Sequence, residues 1–350
     1  MSSVAAPVST APRRLLPLWL RLVLLSAVGI AAYYLLLSVI VEGGSETAMQ
    51  QVFNALTLGS IYALVALGYT MVYGIIELIN FAHGDVFMVG AFIALYFLAG
   101  PLNQSGSVTD ILLLAGLLLL TFPVTMALTG LLNVTIERFA YRPLRRAPRL
   151  APLITAIGVS FILQNIVQIV VGTGDRVFPQ IFPLEWRIEI AGASVSVLSI
   201  FIFMVALGLM IGLQMFINRT RLGRAMRSTS QDKEAAQLMG VDLNQTIALT
   251  FLLGGALAGA AGIFQGLYFG YVRFDLGFNA GLKAFTAAVL GGIGNLTGAL
   301  LGGFMIGFIE NFSAAVGQAR WSQAIVFVVL IVVLVFRPSG ILGQQLADRA

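Results

Sequence analysis

Asn218 to Asp242 reads NRTRLGRAMRSTSQDKEAAQLMGVD, a charge-rich interval set between two long apolar runs. Within it, Glu234-Ala235-Ala236 and Gly240 spell E-A-A-x-x-x-G. A chain that gathers its few charges between apolar runs places a water-facing segment between two bilayer crossings. Ser230 is placed to cap a short helix, Asp232 and Glu234 occupy the first turn where the helix dipole favours acids, and Gly240 suits the C-terminal stop. Two readings are open for this segment, 218-244. One is an amphipathic surface helix that orients the protein. The other is a docking helix for a bulky soluble partner, in which Ala235 and Ala236 permit close approach. Arg224, Arg227, Asp232 and Glu234 would then set the charge register, and Gly240 the bend.

Composition agrees with the membrane reading. Of 350 residues, 59% are hydrophobic and 10% charged, with mean hydropathy +0.95, against about a quarter charged in soluble domains. At about 20 apolar residues per crossing, the chain holds roughly eight to ten crossings. The net charge of +5 sits in loops between apolar segments, so it reads as positive-inside bias, not as a nucleic-acid surface. Without cysteine and with a single histidine, disulfides, thiolate metal sites and His-rich clusters are excluded. No metal or cofactor is expected. There is no G-x-x-x-x-G-K-[ST], so ATP, if it drives the protein, is bound by another chain. The run Gly292 to Gly298 is spaced GxGxxxG with no preceding strand, and is not a dinucleotide loop.

The fold class is an all-α integral membrane protein, a polytopic helical bundle of about eight spans plus broken or re-entrant segments. A basic cytoplasmic tail, 1-21, precedes the membrane domain, 22-340, and a cytoplasmic tail, 341-350, follows it. Spans are expected at 22–41, 50–73, 86–99, 111–133 with a kink at Pro123, 150–171, 195–217, 245–270 and 323–336. Clusters of arginine before the first span, at 138–149, at 219–227 and at Arg337 place both termini in the cytoplasm. Gln164 and Gln168 share one face of their span and are expected to meet another helix. Around Trp186 to Gly192 the alternating pattern predicts a small external hairpin. Parity makes Gly281 to Phe312 a second, membrane-embedded hairpin turning at Gly291 to Asn295. Its first arm, about eleven residues, is too short to cross. A faint repeat links Ala55–Gly74 to Ala248–Gly270, each followed by an interrupted helix and running in opposite directions, as in transporters built on inverted repeats.

The candidate transport pathway centres on Ile75 to Asp85, IIELINFAHGD. Asn80 and Gly84 favour a break in the helix, and Gly84 before Asp85 marks a backbone turn where a substrate approaches. The pathway residues are Tyr69, Tyr73, Asn80, Phe81, His83, Gly84, Asp85 and, in the glycine-rich turn, Asn295. Ionisable groups at membrane depth are functional by default. Lys283 and Glu310 are expected to be interfacial anchors. A self-contained carrier in which Glu77, His83 and Asp85 relay protons is the alternative mechanism.

The pieces Leu58-Gly59-Ser60-Ile61-Tyr62-Ala63-Leu64, Gly68 to Gly74, Ile79 to Asp85, Gly223 to Arg227, Gln231 to Ala236 and Ala288 to Gly294 occur in this order over roughly residues 50 to 340. Together they resemble the LivH-type permease subunits of branched-chain amino-acid ABC importers. The resemblance implies a pore in a bacterial or archaeal inner membrane with no chemistry of its own. It also implies two cytoplasmic ATP-binding subunits, a second homologous permease and an external substrate-binding protein. The EAA-type helix would sit in a groove of the ATPase and transmit its closure, and the hairpin near Trp186 would face the binding protein. Similar permeases serve urea and short amides, which leaves that substrate class as the runner-up.

Overall fold

The computed structural model describes residues 18–41, 44–145, 147–148, 150–190 and 192–343. Most of the basic N-terminal tail, most of the C-terminal tail, Arg146 and Arg149 lie outside the described residues. Twelve α-helices follow one another among those residues. They are α1 (Leu18–Ile40), α2 (Gly44–Ile76), α3 (Ala82–Ala99), α4 (Ile111–Ile136), α5 (Leu150–Val171) and α6 (Val197–Arg219), then α7 (Arg221–Gln231), α8 (Lys233–Leu238), α9 (Leu243–Phe269), α10 (Leu276–Gly291), α11 (Leu296–Ala315) and α12 (Ser322–Phe336). Nine of the described helices are long and apolar enough to cross a bilayer: α1 to α6, α9, α11 and α12. The protein is a polytopic helical membrane protein, as its hydropathy predicts.

Side-chain acceptors at the loop junctions start the helices where the apolar runs begin. Asp110, Ser196, Thr220, Asp232, Asp242 and Asn295 each accept from amides of the following first turn, satisfying donors that have no partner within the helix. The expected kink residue Pro123 lies inside α4, which continues through it to Ile136. α2 has 33 residues, well beyond the expected 50–73.

At the centre, α2, α3, α9 and α10 pack on one another, flanked by α4 against α9 and α11 against α2. Lipid cannot drive helices together hydrophobically, so close backbone approach does it. A Cβ on Gly303 or Gly307 would collide with the backbone of α2 around Ala63 and Gly59. On the other side, one on Gly255 or Gly259 would meet Thr129. Both pairs run antiparallel, Gly59 lying level with Gly307 and Ala63 with Gly303. Exchanging α2 with α9, α3 with α10 and α4 with α11 returns most of the same packing partners, except that the α2–α3 contact has no α9–α10 counterpart of like extent.

Short strands close one end of the bundle. β1 (Arg176–Val177) pairs antiparallel with β4 (Tyr271–Val272), and β2 (Arg187–Ile190) with β3 (Ala193–Ser196) in the expected hairpin. The opposite end carries the α2–α3 break, the 292–295 turn and the α7–α8 hairpin.

Three expectations are corrected. Ser230 does not cap a helix: α7 runs through it, its hydroxyl donates to the Arg227 carbonyl at 2.8 Å, and the cap is Asp232, which splits the polar segment into two helices. The first arm of the embedded hairpin is α10, 16 residues and not about eleven. At 1.5 Å per residue it is about 24 Å long, still short of a ~30 Å core. Lys283 and Glu310 are not separate interfacial anchors. Lys283 Nζ donates to Glu310 Oε1 at 2.6 Å and the Tyr62 hydroxyl to Glu310 Oε2 at 2.8 Å, joining α10, α11 and α2 inside the bundle.

Candidate functional site

α2 stops at Ile76, and Glu77 to Asn80 lie outside any helix before Phe81, already in helical geometry, leads into α3 at Ala82. Glu77 takes φ +58°, a left-handed conformation rare outside glycine and asparagine. The Glu77 amide still donates to Tyr73 O at 2.8 Å, and that of His83 to Asn80 O at 3.0 Å. Glu77 is exposed and Asn80 buried, so the break leads from the surface into the protein.

The first turn of α3 carries polar groups into the interior. Asn80, His83 and Asp85 are all buried. Tyr141 donates to Asn80 Oδ1 at 3.0 Å. Ser160 of α5 donates to Asp85 Oδ2 of α3, and Gln164 donates to Ser160 Oγ at 3.3 Å within α5. The His83 ring stands edge-on to Tyr69 with centroids 4.8 Å apart, in space left open by Gly68 and Gly254.

In front of this turn, Tyr69, Tyr73, Ile79 and Asn80 form a narrow crevice with Phe285 and Ala288 of α10 and Ile293 of the following turn. Phe285 lies 6.1 Å from Tyr69 and 5.7 Å from Phe81, ring centre to ring centre. The walls are aromatic and aliphatic. Asn80 Nδ2 is buried without a hydrogen-bond partner among the described residues. The free space is about 10 Å³, room for a water molecule and too little for an amino acid in this conformation.

Of the pathway residues expected from sequence, Tyr69, Tyr73 and Asn80 line the crevice, Phe81 touches its rim through Phe285, and His83 and Asp85 lie behind it. Gly84 is not at a backbone turn. It sits inside α3, where a Cβ would strike the backbone of Gly277 and Gly281, so the close approach it permits is that of α10. Asn295 is committed elsewhere, capping α11 through Gly298 N at 3.2 Å and donating to Leu342 O at 2.8 Å. The proton-relay groups are not assembled either, since Glu77 is exposed at the chain end of the break. Sequence reading missed Phe285, Ala288 and Ile293, because nothing local marks which face of an apolar hairpin meets the break. It missed Tyr141 and Ser160 as well: Tyr141 sits among the arginines of 138–145, and Ser160 is a single small hydroxyl inside an apolar run.

The polar segment forms a hairpin of α7 and α8 on the same end. Lys233 Nζ reaches Glu77 Oε1 at 3.6 Å, linking α8 to the break. Gly240 ends the segment with φ +86°, its amide donating to Gln237 O at 3.0 Å. Arg224, Arg227, Glu234 and Ala235 are exposed, and Asp232 holds the α8 cap. Ala236 is buried against the chain itself, so only Ala235 of the expected pair is open to a partner. Leu238 and Met239 are 88% and 85% exposed at the tip, an apolar pair not singled out in the sequence. Among the described residues no group of three or more His, Cys, Asp or Glu side chains could hold a metal ion.

A helical bundle with a broken helix, a crevice beside the break and a polar hairpin at the same end is the form of a polytopic helical membrane protein. The chain belongs to the family described as "Branched-chain amino acid transport system / permease component", whose model matches residues 51–334. It is 45% identical over 304 residues to the high-affinity branched-chain amino acid transport system permease protein BraD of Pseudomonas aeruginosa, covering 86% of this chain and 97% of that protein. It is 42% identical over the same shares to LivH of Escherichia coli K12, a permease protein of such a high-affinity system. The probable branched-chain amino acid transport permease protein LivH of Methanocaldococcus jannaschii is 28% identical over 219 residues, 60% of this chain and 63% of that one. No solved structure gives a significant match.

Proposed function

We propose that this chain is the permease subunit of an ATP-driven importer for branched-chain or other neutral amino acids. It offers alternating access in a bacterial or archaeal inner membrane, with both termini cytoplasmic, and performs no chemistry of its own. Two cytoplasmic ATP-binding subunits supply the energy, a second homologous permease completes the pore, and an external binding protein delivers substrate at the β2–β3 end. The observation that carries this reading is the exposed α7–α8 hairpin standing beside the helix break and linked to it by Lys233–Glu77. The crevice in this conformation, about 10 Å³, has room only for a water molecule. On opening, its Tyr69, Tyr73, Ile79 and Phe285 walls would receive a branched-chain side chain and the Asn80 amide its polar end.

The test is reconstitution with the neighbouring ATPase, permease and binding-protein subunits in liposomes. ATP-dependent uptake of leucine is expected, with no uptake from a pH gradient by this chain alone. Glu234→Arg and Gly240→Pro should uncouple ATP hydrolysis from uptake. Unchanged coupling in both variants would remove the docking role, and uptake of urea or a short amide in place of leucine would change the substrate class.

A further inference from the structure

A continuous line of polar contacts runs from the base of the α7–α8 hairpin to the helix break. Asp242 caps α9 by accepting from the amides of Asn244 at 2.8 Å and Gln245 at 3.2 Å. Asn244 Oδ1 in turn accepts from the Arg145 guanidinium at 2.8 Å. The same guanidinium is ion-paired with Glu137, whose side chain is 2% exposed. Glu137 opens a π-helical turn, Glu137–Tyr141, at the end of α4. Tyr141 closes that turn and donates to Asn80 Oδ1 at 3.0 Å, with Ile79 O at 3.5 Å. Its ring rests on Phe251 of α9, centroids 5.5 Å apart.

We propose that Glu137, Arg145 and Tyr141 are positioning residues that carry displacement of α7–α8 and the first turn of α9 to the Glu77–Asn80 break. The proposal rests on the importer reading. A buried carboxylate with a single cation is costly to separate from it, so Arg145 and Glu137 move together, and movement at Asn244 reaches the π turn. A π turn holds one residue more than an α turn and concentrates at functional sites. It can give that residue up or take it back, which shifts Tyr141 relative to α4. Tyr141 then draws on Asn80 and Ile79, the two break residues that line the crevice. The direct contact from α8 to the break, Lys233–Glu77, has both side chains more than a third exposed. Such pairs are worth little. The other route is entered at exposed Asn244 but runs on through Glu137 and Tyr141, both buried, and that enclosed part couples it to the break.

The experiment uses the assembled importer in liposomes and measures leucine moved per ATP hydrolysed. Tyr141→Phe removes only a hydroxyl, and Asn244→Ala alters only an exposed side chain. Both variants should assemble and hydrolyse ATP as the unaltered complex does, while leucine moved per ATP falls roughly threefold or more. Glu137→Gln should show the same loss. An unchanged ratio in Tyr141→Phe and Asn244→Ala would overturn the link. Failure of both to assemble would also overturn it, by making these contacts a folding staple. An unaltered complex without ATP-driven uptake would overturn the importer reading and the link together.

Discussion

Asn80 is held from one side only. Its Oδ1 accepts from Tyr141, while Nδ2 faces the crevice region without a partner among the described residues. A buried donor left unmatched costs free energy unless a ligand takes it. Asn80→Asp keeps the acceptor and removes the donor, so KM for leucine should rise roughly tenfold or more, read from uptake kinetics; an unchanged KM would place the amide outside the path. Glycine makes a second residue-scale case. A side chain at Gly303 would overlap the Ala63 backbone, whereas Gly116 has nothing within 4 Å. Gly303→Val should therefore destabilise by about 1–3 kcal/mol or more in detergent thermal unfolding, and Gly116→Ala should be close to neutral. That Asn80 and Asp85 are singular was legible, because polar residues inside an apolar run are costly, and both are buried. The role of Gly84 was not. Glycine serves a turn and a close helix contact equally well, and only the partner helix, α10, decides between them.

At the scale of elements, spans were legible and faces were not. Crossing helices are apolar on all sides, so no amphipathic stripe reports which side meets protein and which meets lipid. The short polar helices behave differently, since caps and charges mark their ends. Even there the split at Asp232 was missed, because Ser230 and Asp232 are both good caps and lie two residues apart. The split matters for docking. It ends α8 with Leu238 and Met239 projecting into solvent, an exposed apolar pair with the make-up of an interface anchor. Leu238→Asp and Met239→Asp should each leave the thermal stability of the chain unchanged, because neither side chain is packed. Each should abolish recovery of the ATPase subunits in a pull-down. Full recovery with both variants would move the contact off α8.

For the molecule as a whole, the α2–α11 and α4–α9 pairs are packed alike but fastened differently. The sequence paired Ala55–Gly74 with Ala248–Gly270 weakly, since close packing requires only small residues and leaves the rest of each copy free to diverge. The two pairs use different staples. In one, Asn133 Nδ2 donates to the Phe251 carbonyl at 2.7 Å, joining α4 to α9. In the other, Tyr62, Lys283 and Glu310 join α2 to α10 and α11. Lys283 and Glu310 are 15% and 19% exposed, so each relies on the other for most of its solvation. Glu310→Ala strands the lysine, which should cost of order 3 kcal/mol. Replacing both charges, Lys283→Met with Glu310→Leu, removes the desolvation cost along with the attraction, and should return thermal stability to near that of the unaltered chain. Should the double variant unfold as early as Glu310→Ala, the pair would be holding α10 against α2 by geometry that apolar side chains cannot replace. Should it regain stability but lose leucine uptake, the charges would be serving the transport cycle, and the difference in fastening between the two pairs would be functional.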